Sequence, residues 1–296
     1  MAPLKKQLCF LSMNSLEGFY TYDHLTARVL EDRGWTVRMI PWKSKEDWTR
    51  FDAVIIRSPW DYQHFAEDFL KKLGQIHDRG VRILNHPEVI RWNIQKQYLL
   101  EMEKKGVPIV PTVIVKSLNQ IIINRCAEKF ESLKLVVKPT LGAGAEGTFV
   151  LEAPFTNSIV QHAIDHYSDQ ECMVQPFMEF IETEGEFSLM YFNGKFSHAI
   201  RKTPKMGDFR VQEEHGGTFR IVEPSSEALD ISEACFKTLP ESCKKDILLY
   251  ARMDLVRRPD GNLAVMEWEL IEPSLYLSTE DGSHITFANA IEEALQ

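Results

Sequence analysis

The run Leu133-Lys134-Leu135-Val136-Val137-Lys138-Pro139-Thr140-Leu141-Gly142-Ala143-Gly144-Ala145-Glu146-Gly147-Thr148-Phe149-Val150-Leu151 decides how the rest of the chain is read. Gly142 to Gly147 matches G-x-G-x-x-G letter for letter, the fingerprint of a dinucleotide-binding turn. That turn must open a helix whose N-terminus holds the pyrophosphate. Here the loop leads instead into a β-type run, Thr148 to Leu151, with a breaker at Pro154, so the order is strand, loop, strand. A glycine loop between strands can lie over a triphosphate and donate backbone N–H groups to it, because glycine lets bare backbone come close. Glycine serves an ordinary hairpin loop equally well. Lys138 at the end of the preceding strand tips the reading towards phosphate as a point charge, against a solvated strand-end lysine. No G-x-x-x-x-G-K-[ST] occurs, which closes the P-loop route.

Upstream, apolar strand-like runs alternate with amphipathic segments: Leu8 to Leu11, a helix around Tyr22 to Arg33, Thr36 to Ile40, Ala53 to Arg57, a helix around Phe65 to Arg79, and Val81 to Leu84. That order predicts a small parallel α/β sheet, with ligand groups at the carboxyl ends of its strands. Two loops qualify, Ser12-Met13-Asn14 and Arg57-Ser58-Pro59-Trp60-Asp61-Tyr62. Pro87 to Lys105 reads as one helix carrying Asn93 and Lys96, closed by Gly106 and Pro108. Strands follow at Thr112 to Val115 and Leu133 to Lys138 around the helix Leu118 to Glu131. From Cys172 onward long β-type runs dominate: Cys172 to Val174, Glu186 to Phe192, Lys195 to Arg201, Leu248 to Val256 and Leu263 to Ile271. The class is α/β, turning α+β in the C-terminal half.

Within Leu263 to Ile271, strand alternation sends Val265, Glu267 and Glu269 one way and Met266, Trp268 and Leu270 the other. Like charges two apart repel, and burying them unpaired is costly. Asp254 stands in an equally apolar neighbouring strand. Divalent cations would neutralise such a set, and magnesium favours a few carboxylates, water and nucleotide phosphates. The competing reading is a solvent face paired with surface lysines and arginines. Phosphoryl transfer also needs cations beyond the metal. Arg201-Lys202-Thr203-Pro204 and Asp208-Phe209-Arg210-Val211 supply them, and Arg201 and Arg210 are assigned to the γ-phosphate and the acyl phosphate. Exposure on a loop is the competing reading for Lys202 and Lys205.

The chain has 296 residues, 44% of them hydrophobic, which predicts two or three subdomains sharing a cleft. No apolar run approaches the roughly 18 residues of a membrane span, and no secretory pattern follows Met1 to Gln7, so a cytoplasmic setting is expected. Cys9, Cys126, Cys172, Cys235 and Cys243 are scattered without a CxxC pair and read as plain thiols. A net charge of −9, with no concentrated basic face, argues against nucleic acid as a partner.

In this order the residues resemble the ATP-grasp carboxylate–amine ligases over about Asn85 to Leu277. The set is Asn93 and Lys96, Gly106-Val107-Pro108 with Pro111-Thr112, Val136-Val137-Lys138-Pro139 with its glycine loop, Gln175-Pro176-Phe177-Met178, Gly185-Glu186, Arg201, Arg210, Gly216-Gly217, Asp254, and Met266-Glu267-Trp268-Glu269. Each is weak alone; order and spacing together are specific. The chain is most similar to the glutathione synthetase and ribosomal-protein glutamate ligase branch. Arg57 to Tyr62 and Glu269-Leu270-Ile271-Glu272-Pro273-Ser274-Leu275-Tyr276 resemble the O-ureidoserine cyclo-ligase of cycloserine biosynthesis, which marks a subfamily and not a substrate.

The resemblance implies an ATP-grasp fold preceded by a small parallel α/β substrate domain over 1–85. A connecting helix over 86–111 would carry the first ATP lysine, 112–177 would be a lid with the glycine loop, and 178–296 would hold the magnesium site. It implies Lys96 and Lys138 as paired ATP lysines, and Gly142, Gly144 and Gly147 as the cap on the triphosphate. Gln175, Pro176, Phe177 and Met178 would read adenine through their backbone, and Glu186 the ribose hydroxyls. Pro176 lacks an N–H, so its carbonyl would accept and Met178 would donate. Asp254, Glu267 and Glu269 would hold two magnesium ions, with manganese as the alternative; relatives often carry asparagine at the last position.

The implied reaction activates a small, amino-acid-like carboxylate as an acyl phosphate and joins it to an amine or other nitrogen nucleophile, releasing ADP and phosphate. Arg57 would clamp a substrate carboxylate, while Asn14, Asp61, Glu272 and Ser274 would contact amino or hydroxyl groups. Each also reads as a structural polar residue at a strand end. A small-molecule kinase and a non-catalytic MgATP-binding module remain the alternatives, and a homodimer is expected by analogy.

Overall fold

The computed structural model describes residues 6–296 except 143, 209, 212, 245–247 and 280–281; Ala143 of the glycine loop and Phe209 beside Arg210 therefore lie outside the described residues. The first alternating runs form β1 (Gln7–Ser12), α1 (Asp23–Asp32), β2 (Thr36–Pro41), β3 (Ala53–Ser58), α2 (Ala66–His77) and β4 (Arg82–Leu84). The strands lie parallel in the order β2-β1-β3-β4. Alternation sends Leu8, Phe10, Ala53 and Ile55 to one core, with Phe287 and Ile291 from the C-terminal helix. Cys9, Leu11, Val54 and Ile56 go to another, with Phe69, Leu73 and Ile76 of α2. A parallel sheet covered on both faces needs near-continuous apolar strands, and the central strands β1 and β3 have them.

The single helix expected over Pro87 to Lys105 is two, α3 (Pro87–Asn93) and α4 (Tyr98–Lys104). The Lys96 N–H donates to the Thr140 carbonyl at 2.8 Å rather than back along a helix. Lys96 thus sits in the break, tied to the chain that enters the glycine loop. Asn93 closes α3 by bonding the edge of a distant strand: Nδ2 donates to Trp268 O at 2.8 Å, and Oδ1 accepts from Leu270 N at 3.0 Å.

Next come β5 (Val113–Val115), α5 (Gln120–Phe130), β6 (Lys134–Pro139), β7 (Phe149–Glu152), α6 (Ser158–His166) and β8 (Cys172–Pro176), whose strands pair antiparallel in the order β5-β8-β6-β7. Asn119 and Asn157 cap the two helices through their side-chain oxygens. The glycine loop joins β6 to β7 as strand, loop, strand, as its sequence requires.

The third layer comprises α7 (Phe180–Thr183), β9 (Glu186–Phe192), β10 (Lys195–Thr203), β11 (Thr218–Ile221), α8 (Ser226–Thr238), β12 (Tyr250–Arg257), β13 (Leu263–Glu269) and α9 (Ser283–Ala294). Its strands run antiparallel in the order β11-β10-β9-β12-β13. One face packs Leu189, Met253, Leu255, Trp268 and Leu270 with Ala228, Ile231 and Cys235 of α8. On the other face Met190, Phe192, Ile200 and Tyr250 dock on α9 and the parallel sheet. The Tyr250 hydroxyl is held at Ile56 O and Ile271 O, at 2.7 and 2.8 Å.

Simple alternation along β13 does not hold through Val265 and Met266. The β12–β13 register shifts between Asp254 and Leu255, so that Asp254 opposes Glu267 while Leu255 opposes Val265. Met266 is the additional residue of this bulge. Val265 consequently joins Trp268 and Leu270 in the core, and Met266 turns to the cleft beside Glu267.

Candidate active site

A cleft of about 490 Å³ lies between the glycine loop, the antiparallel face of β9, β10, β12 and β13, and the carboxyl end of the parallel sheet. Lys96, Lys138, Gly142, Gly144, Gln175, Pro176, Phe177, Met178, Glu186, Arg210, Asp254, Glu267, Glu269, Glu272 and Ser274 all line it. The lining runs from Gly18 near one end of the chain to Tyr276 near the other.

Glu186, Asp254, Glu267 and Glu269 are each met by a buried or half-buried cation. Glu267 accepts from Lys138 Nζ at 3.0 Å, with Lys96 Nζ at 3.8 Å. Burial opposes its ionisation, but these two lysines more than offset that and hold its carboxyl down at about 2. Asp254 is 3% exposed and accepts from Arg252 Nε at 3.0 Å, from Lys202 Nζ at 3.3 Å and from the Ser188 hydroxyl. Burial is again outweighed, by Arg252 and Lys202, and the Asp254 carboxyl lies far below its ordinary value. Glu269 pairs with Arg252, and Glu186 with Lys202. Burial nevertheless pushes the Glu269 carboxyl upward, because a single guanidinium serves it and its neighbours are anionic.

This donor set suits a hard divalent cation. Asp254 and Glu267 are cross-strand partners, and only oxygens are offered. Among the described residues no three acidic, histidine or cysteine side chains already converge on one point. Magnesium needs no such cage, because it takes one or two carboxylates and completes its shell with water and phosphate.

At the nucleotide end, Lys96 Nζ donates to Gly142 O at 2.9 Å, which ties the first lysine to the glycine loop. Lys138 Nζ also touches Met266 Sδ at 3.8 Å. The Gln175 side chain is anchored on Thr112 Oγ1 at 2.9 Å, leaving the backbone of Gln175 to Met178 along the wall. Gly147 lies outside the lining, where its carbonyl accepts from the Tyr167 hydroxyl at 2.6 Å.

Several expected residues are placed elsewhere. Arg201 does not line the cleft, because alternation along β10 gives that face to Lys202, which is 3% exposed. Arg210 does line it, forked onto Asp208 at 3.0 and 2.7 Å. Arg57 is 3% exposed and already engaged, its Nε on Asp23 at 2.8 Å and its Nη2 on Pro273 O at 3.2 Å, so it is no open clamp for a substrate. Asp61 accepts from Trp42 Nε1 and Lys43 Nζ, both at 2.7 Å, and Asn14 is exposed away from the lining. Glu272 and Ser274 are in the wall, and so are Trp60 and Tyr62, with Trp60 Nε1 donating to the Glu272 carbonyl.

Arg252 was missed. Its signal was available: a cation two residues before Asp254 in a strand must share its face. Lys202 was undervalued as a loop residue, whereas it lies inside β10.

Residues 99–259, more than half of the chain, match the family described as prokaryotic glutathione synthetase, ATP-grasp domain, and the chain belongs to that ATP-grasp family. It is an ADP-forming ligase that makes carbon–nitrogen bonds between a carboxylate and an amine at the expense of ATP. Residues 8–85 match the N-terminal domain of D-cycloserine synthetase DcsG. The chain is 29% identical over 279 residues to the cycloserine biosynthesis protein DcsG of Streptomyces lavendulae, covering 89% of this chain and 90% of that protein. The crystal structure of D-cycloserine synthetase DcsG superimposes with a TM-score of 0.85 at 26% identity, over 98% of this chain and 100% of that one. D-alanine–D-alanine ligase from Bacillus anthracis shares the fold, with a TM-score of 0.70 at 15% identity, over 98% of this chain and 97% of the other.

Proposed function

We propose that the carboxylate of a small, amino-acid-like substrate attacks the γ-phosphate of ATP, and that a nitrogen nucleophile displaces phosphate from the resulting acyl phosphate. One observation carries the reading: Lys96, Lys138, Lys202 and Arg252 interleave with Asp254, Glu267 and Glu269 in a single cleft. Buried charge of both signs in such density is costly unless a polyanionic ligand and its cation use it.

In this reading Lys96 and Lys138 hold the phosphates, and Lys202 and Arg210 face the transferring group. The backbone of Gln175 to Met178 receives adenine. Asp254, Glu267 and Glu269 hold two magnesium ions, or manganese in their place. The ions, when bound, neutralise and orient the phosphate chain. Residues 112–177 act as the lid, 86–111 as the connector, 178–296 as the metal-bearing body and 1–85 as the acceptor side. The chemistry asks for no protein nucleophile, since positioning and charge neutralisation supply the rate. The likeness to DcsG favours an amino-acid-derived substrate carrying both carboxylate and nitrogen. Five buried free cysteines fit a reducing compartment.

The test is a screen of L- and D-amino acids and simple amines for stimulated ADP release, with product identification by mass. An amide or ring-closed product is expected. AMP release, or a phosphorylated product that survives, sinks the reading. Glu267→Gln is expected to lower turnover on the order of 10²-fold or more.

A further inference from the structure

Of the carboxylates in the cleft, Glu272 differs in its partners. Asp254, Glu267 and Glu269 each lie within ion-pair distance of a lysine or arginine, whereas among the described residues Glu272 has no such cation. It is 7% exposed and lines the cleft, as does Tyr62, itself 4% exposed. Lys96 and Arg252 act on it only through space, and Glu269 repels it.

Its backbone is fixed from three sides. The Glu272 carbonyl accepts from Trp60 Nε1 at 3.0 Å, that of Pro273 from Arg57 Nη2 at 3.2 Å, and that of Ser274 from Arg252 Nη1 at 3.2 Å. Three consecutive carbonyls are thus pinned by side chains of the parallel sheet's βα loop, of β3 and of β12. This also gives Arg57 a role: it holds the platform under Glu272. Rigid support of this kind is what a proton-transfer group requires, since its reach to the reacting atom must be held within tenths of an ångström.

Resting on the ligase reading above, we propose that Glu272 is the catalytic base that takes the proton from the attacking nitrogen. The substrate ammonium gives one N–H proton to a Glu272 carboxylate oxygen, and the lone pair so freed forms the C–N bond at the acyl carbon. The bond from the acyl carbon to the phosphate oxygen breaks, and phosphate leaves with that electron pair and takes up the second N–H proton. The proton on Glu272 then passes to solvent as the product departs. A carboxylate locked to a lysine would be too weak a base for this step. Burial, with the Glu269 charge adding to it, pushes the Glu272 carboxyl up to about 8, which places it in the working range of a base near neutrality.

Hydroxylamine separates this step from acyl-phosphate formation, because at pH 7.5 it attacks as the neutral species, whereas ordinary amines are cations that must shed a proton. Wild type, Glu272→Gln and Glu272→Asp are each given MgATP, the amino-acid panel, and either hydroxylamine or the amine that supports ADP release. For Glu272→Gln the ratio of hydroxamate to amide is expected to rise on the order of 10²-fold. The limb of amide formation that rises with pH in wild type is expected to vanish. Glu272→Asp, which keeps the carboxylate, should fall between the two and recover part of that limb. An unchanged ratio, or equal loss of both products in a protein still stabilised by MgADP in a thermal melt, overturns the proposal. If Glu272→Gln does not fold, an unchanged ratio in Glu272→Asp overturns it equally. Absence of hydroxamate from wild type with every carboxylate fails the acyl-phosphate reading itself, and is told apart by arising before any substitution.

Discussion

Lys202 Nζ lies 3.3 Å from Asp254 Oδ1 and pairs on its other side with Glu186, so one buried lysine joins β9, β10 and β12 at the floor of the cleft. Burial alone would weaken its hold on the proton, but Asp254 and Glu186 outweigh that and keep it cationic. Arg201, one residue earlier, faces away.

The two neighbours should therefore behave oppositely. Lys202→Met is expected to lower ADP release on the order of 10²-fold. It should also destabilise the protein by about 3–5 kcal/mol, since two buried carboxylates lose a shared counter-ion. Arg201→Met should change activity by no more than about threefold. Initial rates and denaturant unfolding of both variants check this, and the reverse ranking would return the role to Arg201.

Arg57 tests a structural role. Arg57→Met leaves Asp23, 2% exposed, without its ion-pair partner and is expected to cost about 3–5 kcal/mol. Urea unfolding measures that cost. A large rise in KM without loss of stability would instead place Arg57 on the substrate.

Gly185 precedes β9 at φ +95°, a left-handed conformation that disfavours side chains, and a Cβ there would run into the Lys202 carbonyl oxygen. Gly185→Ala should cost about 1–3 kcal/mol of backbone strain. It should also weaken nucleotide binding by displacing Lys202 and Glu186 together. Tm and MgADP titration would read both effects, and normal affinity with normal Tm would contradict the assigned crowding.

His198 sets an acid limit. It is 2% exposed, with Nε2 on Leu275 O at 3.0 Å and Nδ1 on Ser197 Oγ at 2.9 Å. Burial lowers its pKa to about 4, opposed by the bond to the Leu275 carbonyl. The folded state therefore binds this proton less readily than the unfolded chain. The associated stability is present above about pH 6.5 and is lost as pH falls towards 4, with a size on the order of 3 kcal/mol. Replacing His198 by Gln should flatten the unfolding free energy over that window; an unchanged slope would mean other groups set it.

Much of this protein was legible before its structure. Hydrophobic runs and breakers placed the strands and most helices, because spacing of apolar residues is a local property. The glycine loop declared itself as strand, loop, strand, since Thr148 to Leu151 cannot open a helix against their own pattern. Lys96, Lys138, Asp254, Glu267 and Glu269 stand out in the sequence by type, order and spacing, and the fold brings all five to one cleft. The break at Lys96 was hidden, because its cause is Thr140, more than forty residues away.

Tertiary structure decided which face each charge takes and which partner it meets. The phase of β10 depends on its register with β9, Lys202 opposite Glu186, and that choice exchanges Lys202 for Arg201 in the cleft. The bulge at Met266 likewise moves Val265 into the core. Arg57 has the chemistry of a carboxylate clamp in isolation, but packing brings it Asp23 from α1 and Pro273 from the far end of the chain. Residue type and local period are written along the chain. The sign and distance of the nearest charge arise only when strands remote in sequence are brought within about 4 Å, where electrostatics depends most steeply on position.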